Sequence, residues 1–260
     1  MTAGSRARAF KPDSSLVTRV HAAHNVEERR NGAVPRLVIL HYTGMASAEK
    51  AIDWLAREES RVSCHYVIDE QGVTTQLVPE RLRAWHAGLS SWHGETDINS
   101  HSIGIEIHNP GHSDGYPDFP RAQVDAVIAL TRDICERHNI PPHGVLGHSD
   151  IAISRKIDPG EKFPWGRLAC YGVGLWVKPS PVVPSDPGYG PGENAPAVDE
   201  ARKLLAALGY AIPLHGPYDD KLAAVVTAFQ RHYRPARCDG RLDRSTLSTL
   251  RRLCNARPSA

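Results

Sequence analysis

The 260-residue chain has little net charge, few aromatics and almost no methionine: +2 at pH 7 with histidine neutral, 7% Phe, Trp and Tyr, and two Met. So small a net charge makes no strong field, and nothing global points to nucleic acid or an anionic membrane as partner. The five cysteines, at 64, 135, 170, 238 and 254, form no C-x-x-C pair and are odd in number. That argues against a disulfide framework and a Cys-rich zinc knuckle, and fits reduced thiols in a reducing compartment. No apolar run approaches the roughly 20 residues of a membrane-spanning helix. The opening "MTAGSRARAFKPDSSLVTRV" has basic residues but neither an apolar core of signal-peptide length nor a lipoprotein-type cysteine. The expected address is the cytoplasm. H-E-x-x-H is also absent, so the helix-borne metalloprotease signature is missing.

Hydrophobic content of 41% and charged content of 23% suit a soluble globular protein long enough for one sizeable core plus a small second unit. The boundary is "KPSPVVPSDPGYGPGENAPA", with six Pro and three Gly in twenty residues, which can hold neither a helix nor a central strand. The division is therefore 1–177, a linker over 178–197, and a helical unit over 198–257. The fold class expected is α/β, a mixed central sheet flanked by helices, followed by a small three-helix unit.

In the first unit "RLVILHYT" reads as a buried strand, and Ser47 as the cap of a helix running through Glu59. "VSCHYVIDEQGVTTQLVP" reads as two strands around a turn at Gln71-Gly72. In "SIGIEIHN", Ile103, Ile105 and Ile107 alternate against Gly104, Glu106 and His108. Residues 121 to 138 carry helical periodicity. After the linker come three further helical patterns, two of them behind Asp219 and Asp243. From Val198 to Arg257 eleven Lys/Arg face six Asp/Glu, a local +5 that reads equally as a solvated surface or as a ligand-facing patch.

Histidine is plentiful, at fourteen. The segment "GHSDIAISRKIDPGEKFPW", Gly147 to Trp165, packs one His, three acidic residues, one Arg and two Lys into a stretch without helical or strand periodicity. A metal ion would explain such a concentration of ionisable groups. His41 at a strand end, His148 where an apolar run breaks, and Asp158 ten residues later make two imidazoles and a carboxylate with a fourth position open, as catalytic zinc is commonly held. Spacing alone does not decide it, because ligands from strand ends and loops have no fixed interval, and a strand-end His41 is more often structural.

Five blocks, "LVILHYTGM", "VSCHYVIDEQG", "AWHAGLSSWHG", "NSHSIGIEIHNPG" and "GHSDIAISRKIDPGEKFPW", occur in the order and spacing of the zinc-dependent N-acetylmuramoyl-L-alanine amidases of type 2. The chain resembles that family from about Val34 to Trp165. The family is related to T7-type lysozyme amidases and peptidoglycan recognition proteins. "VDEARKLLAALGY", "FQRHYRP" and "CDGRLDRSTLSTL" resemble the three-helix peptidoglycan-binding domain appended to such enzymes.

The resemblance implies that His41, His148 and Asp158 bind Zn2+. Asp150 is the rival carboxylate, ranked lower because the family's third ligand lies in the "DPG" block after the lysine. Related amidases can carry Cys there; with Asp present the site is complete, unlike that of non-catalytic recognition proteins. Glu106 is expected to shuttle the proton, and Lys156 to stabilise the developing oxyanion. Tyr66 matches an aromatic position near the metal, or is a core tyrosine. Trp85 and Trp92 are expected along the groove, where aromatic faces stack on sugars and peptide groups, with structural packing of Trp85 an equal alternative. His86 is expected to touch a ligand residue or substrate without binding metal, and Asn109 to orient substrate carbonyls. No role follows for His65, His93, His101, His108 or His112, and Cys64 and Cys135 read as small packed hydrophobes.

The implied reaction is hydrolysis of the amide between the lactyl group of N-acetylmuramic acid and the L-alanine of the stem peptide. Without an export signal, the expected partners are imported muropeptides, including 1,6-anhydro forms, during cell-wall recycling. The appended domain is more usual in exported enzymes and endolysins. A periplasmic or released location, and lytic action on intact wall, therefore stay open. So do a binding-only recognition module and a zinc peptidase cutting within the stem peptide. A muropeptide-sensing regulator has no identifiable DNA-binding segment.

Overall fold

Leu37–Leu40 is aliphatic on both faces, so Leu37–Tyr42 forms a strand buried on both sides at the heart of the sheet before it ends in His41 and Tyr42. The computed structural model describes residues 10–257; residues 1–9, on which part of the leader reading falls, lie outside the described residues. In chain order the strands are β1 (Arg19–Val20), β2 (Val26–Glu28), β3 (Leu37–Tyr42), β4 (Tyr66–Ile68), β5 (Thr74–Gln76), β6 (Leu82–Ala84), β7 (Ser102–Ile107) and β8 (Val145–Gly147). The helices are α1 (Ala48–Ala56), α2 (Ile98–His101), α3 (Arg121–His138), α4 (His148–Ile151), α5 (Trp165–Cys170), α6 (Pro196–Leu208), α7 (Asp220–Tyr233) and α8 (Arg244–Ala256).

Six strands form a mixed sheet in the order β1-β5-β4-β7-β3-β8, with only β4–β5 antiparallel, and β2 pairs separately with β6. Val38 and Leu40, with Ile103, Ile105 and Ile107, face one side, where Val124, Val127, Leu130 and Ile134 of α3 cover them. Leu37 and Ile39 face the other side, joined by Leu146. Helix α1 is capped as expected, the Ser47 hydroxyl accepting from the Lys50 amide, but it stops at Ala56 instead of Glu59. Arg57 is extended, and the Asn25 amide holds the carbonyls of Arg57 and Val62 at 2.8 and 3.1 Å, which turns the chain out of the helix.

Asp219 and Asp243 cap α7 and α8, each accepting from the amide three residues on. The three C-terminal helices share one apolar cluster with the sheet: Leu37, Ile39, Leu146 and Ile151 are continuous with Val198, Leu205, Val226 and Phe229. Residues 178–197 run along these helices. The Ser180 amide donates to Thr249 Oγ1 at 3.0 Å, and Tyr189 bridges to Leu242. Much of the local positive charge is spent internally. Arg202 and Arg234 are buried, Arg234 against Asp243, while Arg251 pairs with Glu200 at 2.6 Å. No described helix is long and apolar enough to cross a membrane.

Candidate active site

The C-terminal ends of parallel strands are where open α/β sheets place their ligands, and β3, β7 and β8 end together here. The parity of β3 puts His41 on the same face as Leu37 and Ile39, and parallel pairing sets it beside Glu106 of β7. His148 follows directly on β8 as the first residue of α4. Asp158 returns through the loop, and the Ser149 amide donates to its carbonyl at 2.9 Å. The three side chains are buried and converge: His41 Nδ1 lies 2.9 Å from His148 Nδ1, and Asp158 Oδ2 lies 3.2 and 3.1 Å from the two nitrogens. Among the described residues this is the group of three or more His, Cys, Asp or Glu whose donor atoms lie close enough to hold a metal ion.

The far side of each imidazole fixes which nitrogen is free. His148 Nε2 lies 3.1 Å from the Ala87 carbonyl, which can only accept, and 3.4 Å from the Arg155 guanidinium, which can only donate; the shorter contact puts the proton on Nε2 and leaves Nδ1 its lone pair. His41 Nε2 lies 3.0 Å from His86 Nδ1, and His86 Nε2 lies 3.1 Å from Ser102 Oγ, whose hydroxyl donates to the Ile98 carbonyl at 2.7 Å. Followed back from that carbonyl, the chain leaves His41 Nδ1 unprotonated. Gly104 makes room for it, since a Cβ there would stand 2.6 Å from the His86 ring. Burial, followed by the neighbouring His148, lowers the pKa of His41 to about 4, which keeps it neutral at pH 7. Burial also pushes His86 well below its ordinary value. Burial works to raise the Asp158 carboxyl, and an imidazole of His148 or His41 that carries a proton toward it works the other way. Two lone-pair-forward imidazoles and one carboxylate are chemically suited to zinc.

A cleft of about 390 Å3 opens over this cluster, lined among others by Trp54, Trp85, His86, Glu106, Arg155 and Lys156. Oε2 of Glu106 is buried with no hydrogen-bond partner among the described residues. Burial and the Asp158 charge raise the Glu106 pKa well above the carboxylate range, with Lys156 opposing them. Lys156 is exposed at the rim. Trp85 lines the cleft, its buried Nε1 likewise without a partner among the described residues.

Three expected positions are not brought to the cleft. Tyr66 pairs in register with Ile105, so it faces α3, while Val67 lies opposite Glu106. Its hydroxyl donates to Glu80 Oε1 at 2.6 Å inside the apolar layer, making it the core tyrosine of the two readings. The Asn109 amide is committed to its own loop, donating to the Pro117 carbonyl at 2.8 Å and accepting from the Gly111 amide at 2.9 Å. Trp92 is buried against Tyr210, ring centroids 4.9 Å apart. The rival carboxylate, Asp150, turns away from the cluster. Sequence reasoning passed over Arg155, which donates to the carbonyls of Ala87 and Leu89 at 2.5 and 2.9 Å and so braces the loop that holds His148. It also passed over Ser102 and Gly104 behind His86. The Arg-Lys pair of the loop was the available signal for Arg155.

A family model described as N-acetylmuramoyl-L-alanine amidase matches residues 31–161, half of the chain. The chain belongs to that family. Residues 194–250 match a peptidoglycan binding domain. Relatives of this amidase-family chain cover both regions. It is 36% identical to N-acetylmuramoyl-L-alanine amidase AmiD of Escherichia coli (strain K12) over 242 residues, 86% of this chain and 85% of the relative. The solved complex of AmiD with anhydro-N-acetylmuramic acid-L-Ala-D-gamma-Glu-L-Lys superposes with a TM-score of 0.72 at 33% identity, covering 88% of this chain and 92% of that one. AmpDh3 from Pseudomonas aeruginosa gives 0.70 at 32% identity, covering 90% and 96%.

Proposed function

We propose that the protein is a zinc-dependent N-acetylmuramoyl-L-alanine amidase that cleaves the amide between (anhydro-)N-acetylmuramic acid and the L-alanine of the stem peptide. The observation that carries the reading is the convergence of two Nδ1 lone pairs and one carboxylate oxygen beside Glu106, whose buried Oε2 has no hydrogen-bond partner among the described residues. AmiD, similar over most of both chains, is seen with an anhydromuramoyl peptide as its substrate. His41, His148 and Asp158 hold the ion. Zinc, when bound, supplies Lewis acidity toward the scissile carbonyl and acidifies water.

The chain's own groups do the rest. Oε2 of Glu106 takes a proton from the attacking water and returns one to the leaving amine nitrogen, and burial suits it to both, because a raised pKa lies nearer the working pH. The Lys156 ammonium offsets negative charge growing on the carbonyl oxygen. Trp85 offers a flat apolar wall for the sugar or peptide. His86 holds His41 in its metal-facing tautomer.

The five cysteines are all free, which agrees with a cytoplasmic recycling enzyme working on soluble fragments. The match of residues 194–250 to a peptidoglycan binding domain favours a second reading, action on the polymer. One experiment divides them: zinc-loaded protein is given soluble anhydromuramoyl tripeptide and, separately, intact sacculi, with products read by mass spectrometry. Release of free L-Ala-led peptide from the soluble form alone is the expected result. Solubilised sacculi would mean a lytic enzyme, cleavage within the peptide a peptidase, and no turnover a recognition module.

A further inference from the structure

Asp150 lies two residues beyond His148 on the single turn of α4, its side chain fully buried and facing away from the cleft. Three donors reach it. The Gly147 amide gives a hydrogen bond to Oδ2 at 2.8 Å, the Tyr210 hydroxyl to Oδ1 at 2.7 Å, and His232 Nδ1 stands 2.7 Å from Oδ2. Two of the three belong to the C-terminal region. Tyr210 follows directly on the Gly209 that ends α6, and His232 lies on α7, which packs against α4. The His232 ring is held between Trp165 at 3.7 Å and 22° and Tyr233 at 3.7 Å and 6°. Trp165 in turn closes on Gly147, where a Cβ would stand 3.3 Å from the indole.

Helix α4 has little of its own to fix it. It is four residues long, yet it carries His148 and, through the Ser149 amide, grips the carbonyl of Asp158. Whatever orients α4 therefore orients two of the three donor groups together. We propose that His232 and Tyr210 are positioning residues for the metal centre. By clamping Asp150 they set the pitch of α4, and the C-terminal helices thereby complete the zinc site in addition to any hold on the wall. The proposal rests on the reading of His41, His148 and Asp158 as zinc ligands. Groups that orient a metal ligand without touching the ion typically alter affinity or activity about ten- to hundredfold when removed.

The test uses full-length protein and reads two quantities: the zinc dissociation constant by chelator competition, and the melting temperature of the metal-free form. Tyr210→Phe removes one hydroxyl, and His232→Leu removes a donor. His232→Asn restores an N–H near the Nδ1 position, and Leu205→Ala loosens the same buried interface without touching Asp150. Expected is a roughly ten- to hundredfold weaker zinc affinity for Tyr210→Phe and His232→Leu, with recovery to within about threefold for His232→Asn. Leu205→Ala should lower the melting temperature at least as far while leaving zinc affinity within about twofold of the parent. Parent-like zinc binding in Tyr210→Phe and His232→Leu would overturn the proposal, as would an equal loss in Leu205→Ala. A parent chain that takes up no zinc would overturn the metal-centre reading, and the clamp with it.

Discussion

Glu106 combines a buried, undonated carboxylate oxygen with a neighbouring negative charge on Asp158. The folded chain therefore binds its proton more tightly than the unfolded chain, whose glutamates titrate near about 4.3. Stability from this residue is greatest below that value and falls as pH rises toward the elevated folded pKa. Glu106→Gln removes the penalty. The metal-free variant should melt above the parent at pH 8, with the gap closing as the pH drops toward about 4, and the zinc-loaded variant should retain the metal yet lose about a hundredfold or more in turnover. Melts that coincide at pH 8 would show that the carboxylate is not held at a cost. Single residues also mark where sequence reading stops. His41, His148, Asp158, Glu106 and Lys156 came together around one cleft because short motifs carry them. Asp150 looked like a rival ligand because its partners, Tyr210 and His232, lie 60 and 82 residues away, a distance no local pattern spans.

Among the elements, period and parity decided what could be foreseen. Helix α3 occupies 121–138, as its apolar spacing predicts, and the β4–β5 turn, expected at Gln71-Gly72, spans Asp69–Gly72 and centres on Glu70-Gln71. Tyr66 shows the limit: motif position put it near the metal, whereas two-residue alternation in β4 turned it to the α3 side. There it helps to build a buried junction. Glu80 accepts from Tyr66, and Arg137 and His138 at the end of α3 reach the same carboxylate. Burial works to raise the Glu80 pKa, but these hydrogen bonds prevail and bring it to about 2. A carboxylate lowered in this way stabilises fully above about 4.3 and loses its contribution as pH falls through about 2. Glu80→Gln should therefore lower the melting temperature clearly at pH 7 and by progressively less below pH 4. A deficit that stays constant across that range would assign the loss to shape instead of charge.

On the scale of the whole molecule, the Pro/Gly-rich stretch suggested two bodies on a tether, and in the described structure one apolar cluster runs on from the sheet into the C-terminal helices. Composition locates the segment but does not reveal what docks on either side of it. Leu37, Ile39, Leu146 and Ile151 form part of that cluster, so removing residues 178–260 exposes apolar sheet surface to water. The truncated chain should aggregate or melt well below the parent. A monomeric truncation with an unchanged melting temperature, by light scattering and calorimetry, would show that the cluster divides cleanly.

The edge strand β8 pairs with β3 over three residues, and the two imidazoles, His41 near the end of β3 and His148 just after β8, are 107 residues apart in sequence. An ion held between them would act as a rivet, fastening the margin of the sheet to its centre and closing a very long circuit of chain. Chelation should accordingly be felt beyond the cleft, as faster amide hydrogen exchange along Val145–Gly147.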